Sequence, residues 1–225
     1  MSDLKAVKVC GVVSPDDARM IVRAAKEVLP ANVDLMIGMV LWPKSRRSVN
    51  PQTAFEISRV AKRADVRPVA LFVDETVKQM DEICKKIDVS TCQLHGPGCR
   101  SDWTDSTTET KLDWIDVRDV SPNGTVSAPT HSTRGAALWS IFDTKGGGTG
   151  IPFDWKRFTP PEHSWLLAGG LYPQNVKEAI STLRPSGVDV ATGVTGEDKC
   201  KKDEHRLYDF LRNVVESYSS DVLLH

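Results

Sequence analysis

The chain contains no Cys-x-x-Cys pair, and its five cysteines, at positions 10, 84, 92, 99 and 200, are odd in number. Neither a zinc ribbon nor a disulfide framework follows from that spacing, so the cysteines read as reduced thiols. Long apolar runs are missing too: the longest, "LMIGMVLW" over 35–42, falls far short of the ~20 residues a membrane helix needs. No excess of charge of either sign is present, with 29 basic against 30 acidic residues and a pI near 6.5. Nucleic acid or an anionic membrane would favour a clustered basic face, so neither is expected as a partner and a small molecule is. The opening "MSDLKAVKVC" holds no extended apolar segment before a cleavage site. This predicts a cytoplasmic protein, or a plastid one if a transit peptide has been removed. No linker or low-complexity stretch interrupts the chain, so residues 1–225 are expected to form a single domain, and 40% hydrophobic residues suffice for a sizeable core.

What is present is a repeat of strand and helix signals. Eight short apolar runs follow one another: "AVKVC" ending at Cys10, then runs starting at Leu35, Pro68, Thr91, Leu112, Leu138, Trp165 and Val188. Their spacing of about 20–30 residues is the length of a strand, a crossover helix and two loops. Ser14 before Pro15, and Asn50 before Pro51, read as helix caps with proline in the first turn. Ala18, Ile21, Val22 and Ala25 form an apolar stripe in the first helix, and Leu207, Phe210, Leu211, Val214 and Val215 form one in the last. Strands apolar on consecutive residues suit a parallel sheet covered on both faces. Eight such units predict a single-domain (β/α)8 TIM barrel, with a doubly wound open sheet as the alternative. Residues 97–111 and 118–136 are polar and helix-poor, and "FDWKRFTPPEH" has room for barely two turns. The fourth to sixth crossovers are therefore expected to be short or irregular.

In such a barrel the active site is built at the carboxyl ends of the strands. Glycines at 146–148, 150, 169, 170 and 193 follow the sixth, seventh and eighth strands. Glycine lets backbone amides approach an anion, so three clusters on neighbouring strands point to a phosphate cradle, with Thr149 and Thr192 as further hydroxyl donors or plain strand-end residues. In "PKSRRS" after the second strand, one guanidinium aimed over the barrel mouth would hold a carboxylate through two parallel hydrogen bonds; the pattern leaves open which arginine that is. Asp143 ends the apolar strand "LWSIFD" and is either a loop cap or an acid whose pKa its surroundings raise. Asp189 lies inside the eighth strand, where structural pairing and binding of a substrate hydroxyl are equally compatible. His95 in "QLHG" is the sole histidine at a strand end, and without a second at ligand spacing no metal site is expected. Cys10 alone reads as a packing residue, since buried cysteines mostly are. Lys8, two residues earlier, points to the same side of the strand.

Together, "KVCG", "WPKSRRS", "QLHG", "FDTKGGGTGIPFDW", "LAGGLYPQNVKEAI" and "GVDVATGV…KKD" resemble the phosphoribosylanthranilate isomerases of tryptophan biosynthesis, in the right order from about Lys8 to the last helix. The resemblance implies a (β/α)8 barrel that works without metal or organic cofactor, as a monomer or homodimer. Its reaction would be the Amadori rearrangement of N-(5-phosphoribosyl)anthranilate to 1-(2-carboxyphenylamino)-1-deoxyribulose 5-phosphate. It implies Cys10 as general base, Asp143 as general acid and Arg47 as the binder of the anthranilate carboxylate. Gly147, Gly148, Thr149, Gly169, Gly170, Thr192 and Gly193 would hold the phosphate, and Gln93, His95 and Asp189 would orient the substrate. Two departures stand out: Thr195 where many members have glutamate, and the 97–136 region, which follows no particular member. Competing expectations are another phosphosugar barrel enzyme, such as the histidine-pathway isomerase or a metal-dependent sugar-phosphate epimerase, and a barrel that binds phosphosugars without catalysis.

Overall fold

The structure, a computed structural model, describes residues 4–130, 134–146 and 150–219. Helices begin where side-chain chemistry permits. At the start of α1 (Pro15–Val28) the Ser14 hydroxyl accepts from the Asp17 amide at 3.1 Å, and Pro15 takes a first-turn position whose N–H would be unpaired anyway. Asn50 and Pro51 do the same for α2 (Pro51–Arg63), the Asn50 side chain accepting from the Thr53 amide at 2.8 Å. A reciprocal box between Thr76 and Gln79 opens α3 (Val77–Lys86). The stripes then go where their periodicity sends them: Ala18, Ile21 and Ala25 of α1 and Ala54, Ile57 and Ala61 of α2 are buried against the strands.

The strands are β1 (Ala6–Val9), β2 (Asp34–Val40), β3 (Arg67–Phe72), β4 (Thr91–Leu94), β5 (Asp113–Val120), β6 (Trp139–Thr144), β7 (Trp165–Leu167) and β8 (Gly187–Val190). Each pairs in parallel with the next, and β8 returns to β1 with Lys8 opposite Asp189, which closes the expected barrel. Alternation along each strand divides the core. Outward side chains join the large cluster under the helices, whereas Ala6, Met36, Val69, Ile115, Val117 and Ile141 fill the barrel interior. The interior plug leaves the carboxyl ends of the strands as the open end of the barrel.

The three irregular crossovers differ from one another. Residues 97–105, read as helix-poor, form the short helix α4 (Pro97–Asp105). Pro97 starts it, and Cys99 and Trp103, four apart, are its buried residues, with the Cys99 thiol donating to the Phe72 carbonyl at 3.3 Å. Two buried residues make too thin a stripe to register as a periodic signal. Between β5 and β6 no helix occurs among the described residues, and β5 itself runs on past Val117 to Val120. Between β6 and β7 the described residues form one 3₁₀ turn, at Trp155–Arg157. Aromatic rings fill the space a helix would occupy: Phe142, Phe153, Phe158 and Trp165 meet at centroid separations of 5.2–5.4 Å. The ring is completed by α5 (Val176–Leu183) and by α6 (Glu204–Ser219), which buries Leu207, Phe210, Leu211 and Val214 and leaves Val215 partly exposed. Among the described residues no helix is long and apolar enough to cross a membrane.

Candidate active site

Cys10 follows β1 immediately, its amide still bonded to the Val190 carbonyl of β8 at 2.8 Å. The alternation that sends Val9 outward sends Cys10 inward, against Val40 and Leu71. There it lines a cavity of about 260 Å³ at the carboxyl ends of the strands, together with Asp143 and Asp189. Gln93 and His95 at the end of β4, Arg47 after β2, Gly169 and Gly170 after β7, and Thr192 and Gly193 after β8 form the rest of the wall. Ten of the residues singled out in the sequence thus meet in one cavity. Gly147, Gly148 and Thr149 lie outside the described residues, while Gly146 and Gly150 on either side of them also face the cavity.

The structure answers which arginine turns inward. Lys44 and Arg46 are exposed, and the Lys44 ammonium sits 5.5 Å from the Trp42 ring at the rim. Arg47 folds back over Gly11, where a Cβ would come within 2.9 Å of its Cδ. Its Nη1 donates to the Thr192 hydroxyl at 2.8 Å, and its buried Nε has no protein partner. A guanidinium anchored to Thr192 at one end and lining the cavity is of a type that holds a carboxylate.

Asp143 is held at the end of β6, and its pKa is pushed up to about 7 by burial and then by the nearby Asp189 carboxylate. At neutral pH a large fraction therefore carries the proton that an acid must give. The turn after β7 leaves it room only because position 169 is glycine. Gly169 has φ +85°, and a Cβ there would lie 2.9 Å from Asp143 Oδ1 and collide with Thr144. Gly169→Ala is expected to cost about 1–3 kcal/mol of stability and, by displacing Asp143, to lower kcat at least ~10-fold. Urea unfolding and steady-state kinetics check both effects.

Beneath the cavity lie charge pairings that the sequence left open. Lys8 is fully buried and donates to both oxygens of Asp189, at 3.0 and 3.1 Å. Burial opposes its charge, yet Asp189 and Cys10 together hold its pKa above the ordinary lysine value. Asp189 is thereby a structural partner as well as a cavity residue. Lys202, buried just ahead of α6, donates to the Cys10 carbonyl at 2.6 Å and to the Ala191 carbonyl at 3.0 Å, tying the end of β1 to the end of β8. Its pKa is pulled down to about 8, chiefly by burial and also by Arg47. In sequence it sits within "DKCKKDEHR", which looks like a solvated charge run. The His95 ring is held below its usual pKa by burial, and Gln93 Nε2 lies 3.5 Å from His95 Nδ1 while Gln93 Oε1 is buried without a partner. Thr195 points away from chemistry: it is buried, and its hydroxyl bonds the Thr192 carbonyl at 2.7 Å, closing the 3₁₀ turn Thr192–Val194. Among the described residues, no group of three or more His, Cys, Asp or Glu side chains is placed to hold a metal ion.

The arrangement offers an inward thiol, a carboxyl of raised pKa, a guanidinium and glycine-bearing turns, all around one small cavity. Comparison with known proteins gives a consistent picture. Residues 7–213 match the family model described as N-(5'-phosphoribosyl)anthranilate isomerase. The chain is 37% identical to the N-(5'-phosphoribosyl)anthranilate isomerase of Chlamydia felis, over 92% of this chain and 95% of that one. It is 34% identical to the chloroplastic isomerase 1 of Arabidopsis thaliana, over 94% of this chain and 75% of the relative. The crystal structure of monomers generated from the dimeric phosphoribosylanthranilate isomerase of Thermotoga maritima superposes with a TM-score of 0.67 at 26% identity, covering 94% of this chain and 99% of that one.

Proposed function

The chain belongs to the N-(5'-phosphoribosyl)anthranilate isomerase family, an enzyme of tryptophan biosynthesis converting that substrate to 1-(2-carboxyphenylamino)-1-deoxyribulose 5-phosphate, and from this premise we propose that Cys10 and Asp143 are its base and acid. The observation that carries the assignment is their convergence on one cavity with Arg47 and the glycine turns.

In this reading Asp143 donates its proton to the ribose ring oxygen as the C1–O bond breaks. The anthranilate nitrogen supplies the electron pair that makes C1 an iminium carbon. The Cys10 thiolate then takes the proton from C2, and the freed pair forms the C1–C2 double bond and neutralises the nitrogen. The enolamine takes a proton at C1 and gives up the proton of its C2 hydroxyl as the C2 carbonyl forms, so the product is the ketone isomer with no net gain of protons. Each group has a side-chain type suited to its step, Asp143 a carboxyl still protonated near neutrality and Cys10 a polarisable thiolate able to accept a carbon-bound proton. Arg47 holds the anthranilate carboxylate, and its bond to Thr192 couples that grip to the phosphate turn. Gly169, Gly170, Thr192 and Gly193, with Gly147, Gly148 and Thr149, hold the phosphate. Gln93, His95 and Asp189 orient the ribose and the aromatic ring. No cofactor enters this scheme.

The whole chain, residues 1–225, is read as one domain acting on a small phosphoribosyl substrate. A monomer or a homodimer fits, the Thermotoga maritima relative being described as dimeric. With bacterial and chloroplastic relatives alike, the cytoplasm or the plastid is the place of action. The assignment is tested by separating binding from chemistry. Arg47→Met is expected to raise KM by roughly 10–100-fold with a smaller change in kcat, as loss of one charged bidentate contact does. Equal loss in kcat at unchanged KM would place Arg47 elsewhere in the mechanism.

A further inference from the structure

A thiol serves as a base only as its thiolate, and something must balance that negative charge in a cavity walled by Val40 and Leu71. The groups facing Cys10 come from every side: Lys8 on β1, Asp189 on β8, Arg47 across Gly11, Lys202 on its own carbonyl, and Asp143 and His95 across the cavity. Of these, Lys8 shares with the sulfur one face of β1 and one neighbouring glycine. A Cβ on Gly38 would lie 3.0 Å from Cys10 Sγ and 3.2 Å from Lys8 Cε, so both side chains pack on the same glycine of β2. Two of the three ammonium donors can serve Asp189, which leaves one donor and the full positive charge on the Cys10 side of the barrel interior.

We propose that Lys8 is a positioning residue for the base: its ammonium, anchored by Asp189, supplies the counter-charge that keeps the Cys10 thiolate in place. The proposal rests on the reading of Cys10 as the base. A stabilising role alone does not account for the pair, because a buried ion pair is commonly no better for folding than apolar residues of similar size. Its direction is informative. The positive end faces the thiol, while the Asp189 carboxylate adds to the forces that keep a proton on Asp143. One ion pair thereby sets a cation toward the base and an anion toward the acid. Lys202 differs in where it is aimed: two of its donors go to the backbone, at the Cys10 and Ala191 carbonyls, whereas Lys8 and the Cys10 sulfur share the Gly38 side of the barrel interior.

The test is the rate at which iodoacetamide alkylates Cys10 in the full chain, followed by mass spectrometry of the Cys10 peptide at several pH values. Lys8→Met is expected to slow alkylation at pH 7 by roughly 10-fold or more, with the gap narrowing by about pH 10, where an ordinary thiol is ionised. The double variant Lys8→Met/Asp189→Asn, which leaves no uncompensated buried carboxylate, is expected to keep the fold and the slow rate. A purely structural role would change the rate equally at all pH values, and that outcome, or an unchanged rate, overturns the proposal. Wild-type protein provides a check that needs no variant. Raising the pH from 7 to 9.5 speeds an ordinary thiol by roughly 30-fold, and the counter-charge is expected to hold the increase below ~10-fold; a larger increase counts against it. Should Cys10→Ala turn over normally, the base assignment fails while these alkylation results still stand, so the two failures are distinguishable.

Discussion

Cys10→Ala should lower kcat by roughly 10²–10⁴-fold while leaving affinity for a reduced, unreactive product analogue nearly unchanged. The expectation follows from position. Cys10 is one residue beyond β1, its amide still in the barrel ladder, and its side chain faces the cavity with 7% of the residue exposed. Truncation removes one sulfur atom and no hydrogen-bonded backbone group, so the fold should survive, with the loss confined to removal of the proton from C2. Steady-state kinetics beside a binding titration measure both parts. Retained turnover with retained binding would assign the proton abstraction to another group.

Asp143→Asn should be as damaging, by roughly 10²–10⁴-fold, because the amide keeps the shape of the carboxyl but has no acidic proton to give. Its pH dependence follows from the pKa of about 7. In wild type, kcat/KM should fall as the pH rises through about 7 and Asp143 loses its proton; the asparagine variant should lack that limb. Stability moves in a linked way. The folded pKa lies above the unfolded value, so the folded state holds the proton more tightly, and wild-type stability declines as the pH rises from about 4 to about 7. The variant has no such loss. Its urea midpoint should gain on wild type across that window and keep the gain above it. A constant difference at all pH values would mean that burial does not strain the ionised carboxylate.

The barrel was legible because its determinants are local and repeated. Ser14, Asn50 and the prolines after them announce helix starts, and consecutive apolar residues announce strands buried on both faces. The site was legible by position, since barrel chemistry gathers at strand ends, and Cys10, Asp143, Gln93, His95 and Asp189 lie at or near them. Two kinds of feature were not. The α4 helix buries little beyond Cys99 and Trp103, so its periodicity is too faint, and the aromatic cluster between β6 and β7 joins Phe142, Phe153, Phe158 and Trp165, whose spacing follows neither the helix nor the strand period. The charges beneath the cavity were hidden for a related reason. Whether Lys8 meets Asp189, or Lys202 reaches the Cys10 carbonyl, depends on the closure of β8 onto β1, which brings together groups separated by nearly the whole chain. The residue pattern alone left Arg46 and Arg47 open and only the family resemblance pointed to Arg47; the turn that lays its guanidinium across Gly11 supplies the physical reason.

The most direct measurement generates N-(5-phosphoribosyl)anthranilate from anthranilate, phosphoribosyl pyrophosphate and the transferase that joins them, and follows its fluorescence when the purified protein is added. Wild-type protein should abolish the signal far faster than spontaneous decay, and the Cys10→Ala/Asp143→Asn double variant should leave it at the spontaneous rate. A wild-type protein that leaves the decay unchanged, or a double variant as fast as wild type, would contradict an acid–base isomerase working at this cavity.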